Sequence, residues 1–277
     1  MDAGAVAADV DHLVRVGTAL DVVAGVDGRE AAGEVRPQVA EALIEAGHGG
    51  FLLVESESSG RQEGVEELEG LHAEEMLRKG SDVLLAPGMN IHRDPLCGRN
   101  FEYYSEDPLL TGLTAAAYVR GIQSRGVSAC PKHLACNNQE TQRWVNDSRV
   151  SQRALREIYL RGFRICVEQA RPRTVMTSYN KINGQWAHYS YDLATTILRG
   201  EWGYEGLVIT DWWMRYAPDP LFAHLADSAT RVRAQVDVLM PGGRTYTSTR
   251  AEGHDDSVLA CYDPDDDSGE HLTLGEL

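Results

Sequence analysis

Several things are scarce in this sequence, and each scarcity removes a class of function. Basic residues are outnumbered: 26 Lys and Arg face 42 Asp and Glu, for a formal charge of −16. Such a surface repels nucleic acid phosphates and anionic lipid, so no nucleic-acid or membrane partner is expected and neutral substrates fit better. Long apolar runs are also missing; none approaches the roughly 18 residues that a membrane span needs. The opening MDAGAVAADVDHL is acidic and has no Lys or Arg before Arg15, the wrong charge for a signal peptide, so a cytoplasmic location is the expectation. The cysteines (Cys97, Cys130, Cys136, Cys166, Cys261) are odd in number and form no CxxC pair. That argues against a disulfide framework or a zinc site and for reduced, mostly buried thiols. The acidic "DPDDDSGE" does not make a calcium loop either. Its glycine falls one place late for an EF-hand, and Leu274 stands where the closing Glu is needed. No metal or organic cofactor is expected.

What is present is a rhythm. Apolar residues make up 43% of the chain, enough for a core. From about Asp82 onward, short apolar runs end in polar residues: "DVLLAP", "VSACPKH", "TVMTSYN", "GLVITDW" and "VDVLMPGG". Helical patterns lie between them. In the clearest, Leu155, Ile158, Tyr159, Gly162, Phe163, Cys166 and Val167 recur at i, +3, +4, +7, +8, +11 and +12, with Ser151 as N-cap and Pro172 beyond the end. A second, shorter helix is expected over Asp192–Leu198, and "KING" reads as a turn. Strands alternating with helices predict parallel βα units of the α/β class. Five strand candidates after residue 80, with one or two before it, suit a TIM-like (β/α)8 barrel of roughly 250 residues better than a small doubly wound sheet. The expected organisation is 1–70 as a diverged or rearranged N-terminal segment, 71–250 as the barrel core, and 251–277 as an acidic loop and C-terminal end. The first segment carries only weak signals: a helix, then a strand at Phe51–Val54. The barrel is therefore expected to be incomplete at its N-terminal strands.

In such folds the active site forms at the polar strand ends. Asp211 closes "GLVITDW". A strand-end Asp can equally be a helix cap or a salt-bridge partner, but Trp212 and Trp213 follow it, and flat indole faces stack on the C–H face of a pyranose. An Asp beside an aromatic wall can attack an anomeric carbon. Lys132 and His133 open "KHLACNNQE", a dense run of donors and acceptors of the kind sugar hydroxyls need. Lys132 would also hold a nearby carboxylate ionised. Arg99, in a loop read as stiffened by internal ion pairs among Arg93, Arg99, Glu102 and Glu106, offers a planar guanidinium for two hydroxyls. Tyr179 could be core, or could set its hydroxyl against the nucleophile.

Four stretches together, "PGMNIHRDPLCGRNFEYYSEDP", "KHLACNNQET", "MTSYNKINGQWA" and "LRGEWGYEGLVITDWW", resemble the β-glucosidases of glycoside hydrolase family three. They are long, stand in the family's order, and lie within a resemblance running from about residue 82 to 243. The resemblance implies retaining hydrolysis of a β-glucoside or short oligosaccharide. It casts Asp211 as nucleophile, places Arg99, Lys132 and His133 on sugar hydroxyls, Tyr179 close to the nucleophile, and Met176 in the same pocket, where Trp212 is the substrate-binding aromatic wall read from the residues. The family's N-acetylglucosaminidase branch is disfavoured, since "LACNNQE" stands where that branch has a longer His- and Gly-rich motif. Two departures follow. The general acid/base Glu of these β-glucosidases comes from a second α/β domain; this chain runs out soon after "VDVLMPGG", so the acid is expected to be missing from it, or supplied by a separate domain or chain. The early Asp-Gly-Pro type motif also has no convincing counterpart, with Asp27 in "GVDGRE" a poor candidate. The alternatives are a catalytically weak or inactive sugar-binding relative, and a gene fragment that does not fold stably.

Overall fold

Strands of a parallel sheet are buried on both faces, so they read as short continuous apolar runs rather than as alternating ones. A computed structural model describes residues 16–17, 58–212, 227–240, 262, 265, 272–273 and 275 of the chain. Within it, the five apolar runs line up as one parallel ribbon. Strand β1 (Val16–Gly17) pairs with β2 (Val83–Leu84), and β2 pairs with β3 (Ser128–Ala129) in the register Val83 to Ser128 and Leu84 to Ala129. A bridge from Leu134 to Thr177 carries the ribbon on to β5 (Thr174–Met176). Strand β5 pairs with β8 (Leu207–Ile209), and Ile209 bridges to Val238. Each of these pairings is parallel. Among the described residues the ribbon stays open: no pairing returns from Val238 to β1. The α/β class expected from the alternation is present, while a closed eight-stranded sheet is not among the pairings described.

The two faces of the ribbon carry different cores. Leu84, Ala129, Val175 and Val208 point outward into a large apolar layer with Met76, Ala115, Val119, Phe163 and Cys166 of the helices. Their neighbours Leu85, Cys130, Met176 and Ile209 point inward and pack with Trp212, Val238 and Met240. This alternation is the period of two that a strand imposes on its side chains.

Helices build the outer layer. Helix α1 spans Ser58–Arg78, and α2 spans Pro108–Gln123. Helix α3 (Gln152–Ala154) runs through a π-helical segment, Leu155–Tyr159, towards α4 (Arg161–Ala170). Asp107 caps α2 by accepting from Leu109 N at 2.8 Å, and Pro108 sits where its missing N–H is harmless. Helix α1 and α2 approach closely at Gly121, where a Cβ would stand 2.5 Å from the Glu66 carbonyl. Arg120 of α2 donates to Glu66 of α1 at 2.6 Å.

The expected helix from Ser151 to Ala170 is present, with Ser151 accepting from Ala154 N at 3.2 Å. Its register differs from the regular pattern. Leu160 N donates to Leu155 O at 2.8 Å, an i to i−5 bond that inserts one residue into the turn. The wider turn rotates Leu160 into the core and leaves Ile158 and Tyr159 half-buried. The shorter helix, expected over Asp192–Leu198, is present and runs on to Glu201 as a π-helix, Asp192–Glu201. "KING" is the turn of a hairpin between β6 (Lys181–Ile182) and β7 (Gln185–Trp186), with β4 (Asp147–Ser148) parallel to β6. Asn183 and Gly184 take φ of 53° and 95° there, as a tight hairpin turn requires.

Helix α1 contains residues 70 and 71, between which the sequence reading places a boundary. The strand at Phe51–Val54, Asp27, Trp213, the glycines after Pro241 and most of the acidic tail lie outside the described residues.

Candidate active site

Parallel strands deliver their C-terminal ends to one edge, and the polar residues that end the apolar runs meet there. Asp211 follows β8 and is 7% exposed. Its Oδ1 accepts from the Trp212 backbone N–H at 2.7 Å. Its Oδ2 is buried and has no hydrogen-bond partner. Next to it, the Tyr179 hydroxyl at the end of the β5 run donates to the Trp212 carbonyl at 2.7 Å. The same hydroxyl also lies close enough to the Asp211 carboxylate to favour its ionised form. Trp212 is thus held at both its N–H and its carbonyl, and its side chain packs with Met176 on the inner face.

His133 stands 3.5 Å from Asp211 Oδ2 through Nε2. This is a contact without an ion pair. Burial holds the imidazole well below its usual range, and Arg99, Lys132 and Arg143 push it the same way, so the ring is neutral. Arg99 donates to Nε2 at 3.0 Å, which leaves the ring proton on Nδ1, 3.3 Å from the Tyr103 hydroxyl. The Asn90 side chain fixes the backbone beneath. Its Nδ2 donates to the His133 carbonyl at 2.9 Å, and its Oδ1 accepts from the His133 N–H at 3.0 Å. Asn90 therefore pairs with His133 as one strand residue pairs with another, and joins the end of the β2 run to the end of the β3 run.

Arg99 and Lys132 come from different strand ends and meet on Glu102. Arg99 Nε donates to Glu102 Oε1, and Lys132 Nζ lies 3.5 Å from Oε2. Glu102 is held below the usual carboxylate range by these two cations, against its own burial. The loop that carries Arg99 and Glu102 is latched by His92, whose Nε2 stands 3.1 Å from the Asn100 carbonyl and 3.0 Å from that of Tyr103. Asn138 ties it to the following loop, donating to the Ile91 carbonyl at 2.7 Å. On the far side of Tyr179, the Arg143 guanidinium lies 4.6 Å from the ring centroid and donates to Glu140 at 2.8 Å. Trp144 packs on the same tyrosine with centroids 4.0 Å apart.

Burial raises the pKa of Asp211; the Trp212 N–H, Arg99, Tyr179 and Lys132 oppose that rise. A carboxylate with one oxygen pinned, the other free, and two cations nearby is suited to attack carbon that develops positive charge. Among the described residues, no three His, Cys, Asp or Glu side chains gather as a metal site would require.

The structure brings together Asp211, Arg99, Lys132, His133, Tyr179, Met176 and Trp212, the residues singled out in the sequence. Trp213 lies outside the described residues, so one indole of the expected wall is seen. Sequence reasoning passed over Asn90, Tyr103, Arg143 and Trp144. Asn90 carried a usable signal, since it follows its strand as Lys132 and His133 follow theirs. Arg143 and Trp144 sit in a loop whose path the spacing does not reveal.

Residues 53–254 match the model of the glycosyl hydrolase family 3 N-terminal domain. The chain is 53% identical over 166 residues to a beta-glucosidase of Ruminococcus albus, covering 60% of this chain and 18% of the relative. It is 59% identical over 129 residues to beta-glucosidase A of Butyrivibrio fibrisolvens, covering 47% of this chain and 16% of that protein. Among solved structures, beta-glucosidase 3B from Thermotoga neapolitana in complex with glucose aligns with a TM-score of 0.64 at 49% identity, over 70% of this chain and 26% of that one. The matched stretch spans less than a fifth of the length of these two curated relatives. On the extent of the match from residue 53 to 254, the chain belongs to glycosyl hydrolase family 3, in its N-terminal domain.

Proposed function

We propose that this chain carries the nucleophile and sugar-binding half of a retaining β-glucosidase. In this reading Asp211 Oδ2 attacks the anomeric carbon of a terminal β-linked sugar. The glycosidic C–O bond breaks, its electron pair leaves with the aglycone oxygen, and a covalent glycosyl-enzyme remains. Water then releases the sugar with its configuration retained. Arg99, Lys132 and His133 bind hydroxyls, Tyr179 stands beside the nucleophile, and Met176 and Trp212 line the pocket. The observation that carries the reading is the asymmetry of Asp211, with Oδ1 pinned by the Trp212 N–H and Oδ2 buried and free beside Arg99 and Lys132.

A retaining site needs a second carboxyl group about 5–5.5 Å from the first. Glu102 and Glu140 are both engaged in ion pairs with neighbouring cations, which disfavours either as the proton donor. We assign the donor to a part of the protein beyond the described residues, or to a partner. The parallel ribbon, with helices outside and a separate apolar layer inside, supports an arc of a (β/α)8 barrel.

The test uses 2,4-dinitrophenyl β-D-glucoside, whose leaving group departs without protonation. Hydrolysis should give β-glucose first, read by proton NMR, and Asp211→Asn should slow it by at least about 10³-fold. α-Glucose as first product, or an Asp211→Asn variant as fast as wild type, sinks the proposal. Glucose binding without turnover would leave a sugar-binding relative in its place.

A further inference from the structure

We infer that Glu102 is a positioning residue, which holds Arg99 and Lys132 apart from Asp211 and ready for the sugar. The inference rests on the reading of Arg99 and Lys132 as hydroxyl-binding groups and explains how they are presented. Arg99 precedes the short helical turn Asn100–Glu102 and Glu102 ends it, whereas Lys132 follows β3. Two cations on separate elements, side by side in a mostly buried site, repel each other. Glu102 offers one oxygen to each: Oε1 to Arg99 Nε, and Oε2 to Lys132 Nζ at 3.5 Å. The carboxylate also has a built seat. A Cβ at Gly88 would stand 3.1 Å from Glu102 Oε2 and 3.0 Å from the Tyr103 ring, so glycine there leaves the room that both side chains fill.

The arrangement answers a problem of the site. Lysine is a point charge on a flexible stem. Asp211 Oδ2 is an unpartnered carboxylate oxygen nearby. Without a competing anion, Lys132 would swing onto Oδ2 and block the oxygen that the chemistry uses. Glu102 holds the ammonium off the nucleophile and cancels one of the two positive charges. The groups that bear on Asp211 are then Arg99 and Lys132 as cations, the neutral His133 ring at 3.5 Å, the Tyr179 hydroxyl and the Trp212 N–H.

Glu102→Gln keeps the shape and removes the charge. Asp211 then faces Arg99 and Lys132 uncompensated, so its ionised form is favoured and its titration midpoint moves down. The experiment follows the Asp211 carboxyl by carbon-13 NMR in the full chain labelled at aspartate carboxyl carbons, with the resonance assigned by its loss in Asp211→Asn. The same samples are treated with 2,4-dinitrophenyl 2-deoxy-2-fluoro-β-D-glucoside, and the rate of covalent labelling is measured against pH. In Glu102→Gln the Asp211 midpoint should fall. Labelling near neutral pH should slow about 10- to 100-fold as the hydroxyl ligands lose their geometry, and its acid limb should shift down with the midpoint. Glu102→Asp, which keeps the charge with a shorter reach, should lie between the two, and it decides the matter if the Gln variant does not unfold cooperatively. A midpoint that does not move from wild type, whatever the labelling rate, overturns the inference. If wild type takes no label while the midpoint still falls in Glu102→Gln, the glycosidase reading fails and the role of Glu102 stands.

Discussion

Asn90→Ala should loosen the sugar site from beneath, acting through the backbone of His133 rather than on the sugar itself. The Asn90 side chain makes two buried hydrogen bonds with one residue, 2.9 Å to the His133 carbonyl and 3.0 Å from the His133 N–H. Alanine removes both and leaves a buried N–H and a buried carbonyl at the end of the β3 run. A typical intramolecular hydrogen bond contributes about 0.5–1.5 kcal/mol, and a buried group left without a partner costs about 1–3 kcal/mol. Two such groups with partial relaxation give about 2–4 kcal/mol. For a domain of roughly 150–250 residues each kcal/mol moves the Tm by about 2–4 °C, so a fall of about 4–16 °C is expected. The assay is calorimetric unfolding at neutral pH, paired with glucose binding by titration calorimetry. Binding should weaken more than the fall in stability alone accounts for, because His133 carries the contacts to Arg99 and Tyr103. A ΔΔG within about 0.5 kcal/mol of zero, the range of ordinary surface changes, would refute the view that Asn90 braces the site.

Two further outcomes follow from the same geometry. Burial raises the Asp211 pKa in the folded chain above its unfolded value, so the ionised form destabilises the fold. The stability that protonation of Asp211 contributes is full below the unfolded carboxylate pKa and is lost as pH rises through the raised folded one. Asp211→Asn should therefore have a higher Tm than wild type at neutral pH, with the gap closing as pH falls into the carboxylate range; a gap that does not change with pH contradicts the assignment. Gly121→Ala should lower the Tm by about 2–12 °C, from about 1–3 kcal/mol of overpacking, because its Cβ would stand 2.5 Å from the Glu66 carbonyl and 2.7 Å from the Glu69 Cβ. An unchanged Tm would mean that α1 and α2 are not packed at that distance.

The parts of the fold legible in the sequence are those where burial leaves a simple pattern. A strand covered on both faces is a short apolar run, and a polar residue at its end stands out. For that reason the runs ending at Lys132 and His133, at Tyr179 and at Asp211 predict the site edge. Helix α1 is not legible in the sequence because its pattern is broken: Gly60, Gly64 and Gly70 interrupt it, and within its described side chains Glu69, Gly70, Ala73 and Met76 are the buried ones. Its place comes from the close seat at Gly121 rather than from its own periodicity. The one-residue insertion at Leu155–Tyr159 was also hidden, since the apolar residues of that stretch fit a regular helix equally well. Within the site, Glu102 was legible as a member of an ion-paired loop but not as the link to Lys132. That link joins residues 30 apart on separate strand ends, and only the folded chain brings them together.

The central claim is that Asp211 Oδ2 is a working nucleophile. The direct measurement is the mass of the full chain after incubation with 2,4-dinitrophenyl 2-deoxy-2-fluoro-β-D-glucoside, followed by peptide mapping, with Asp211→Asn as control. The reagent's leaving group needs no protonation, so the source of the general acid does not bias the result. The account predicts a gain of one fluoroglucosyl unit, carried by the peptide that contains Asp211 and absent from the variant. A cooperatively folded chain that gains no mass, or that carries the sugar on another residue, contradicts it.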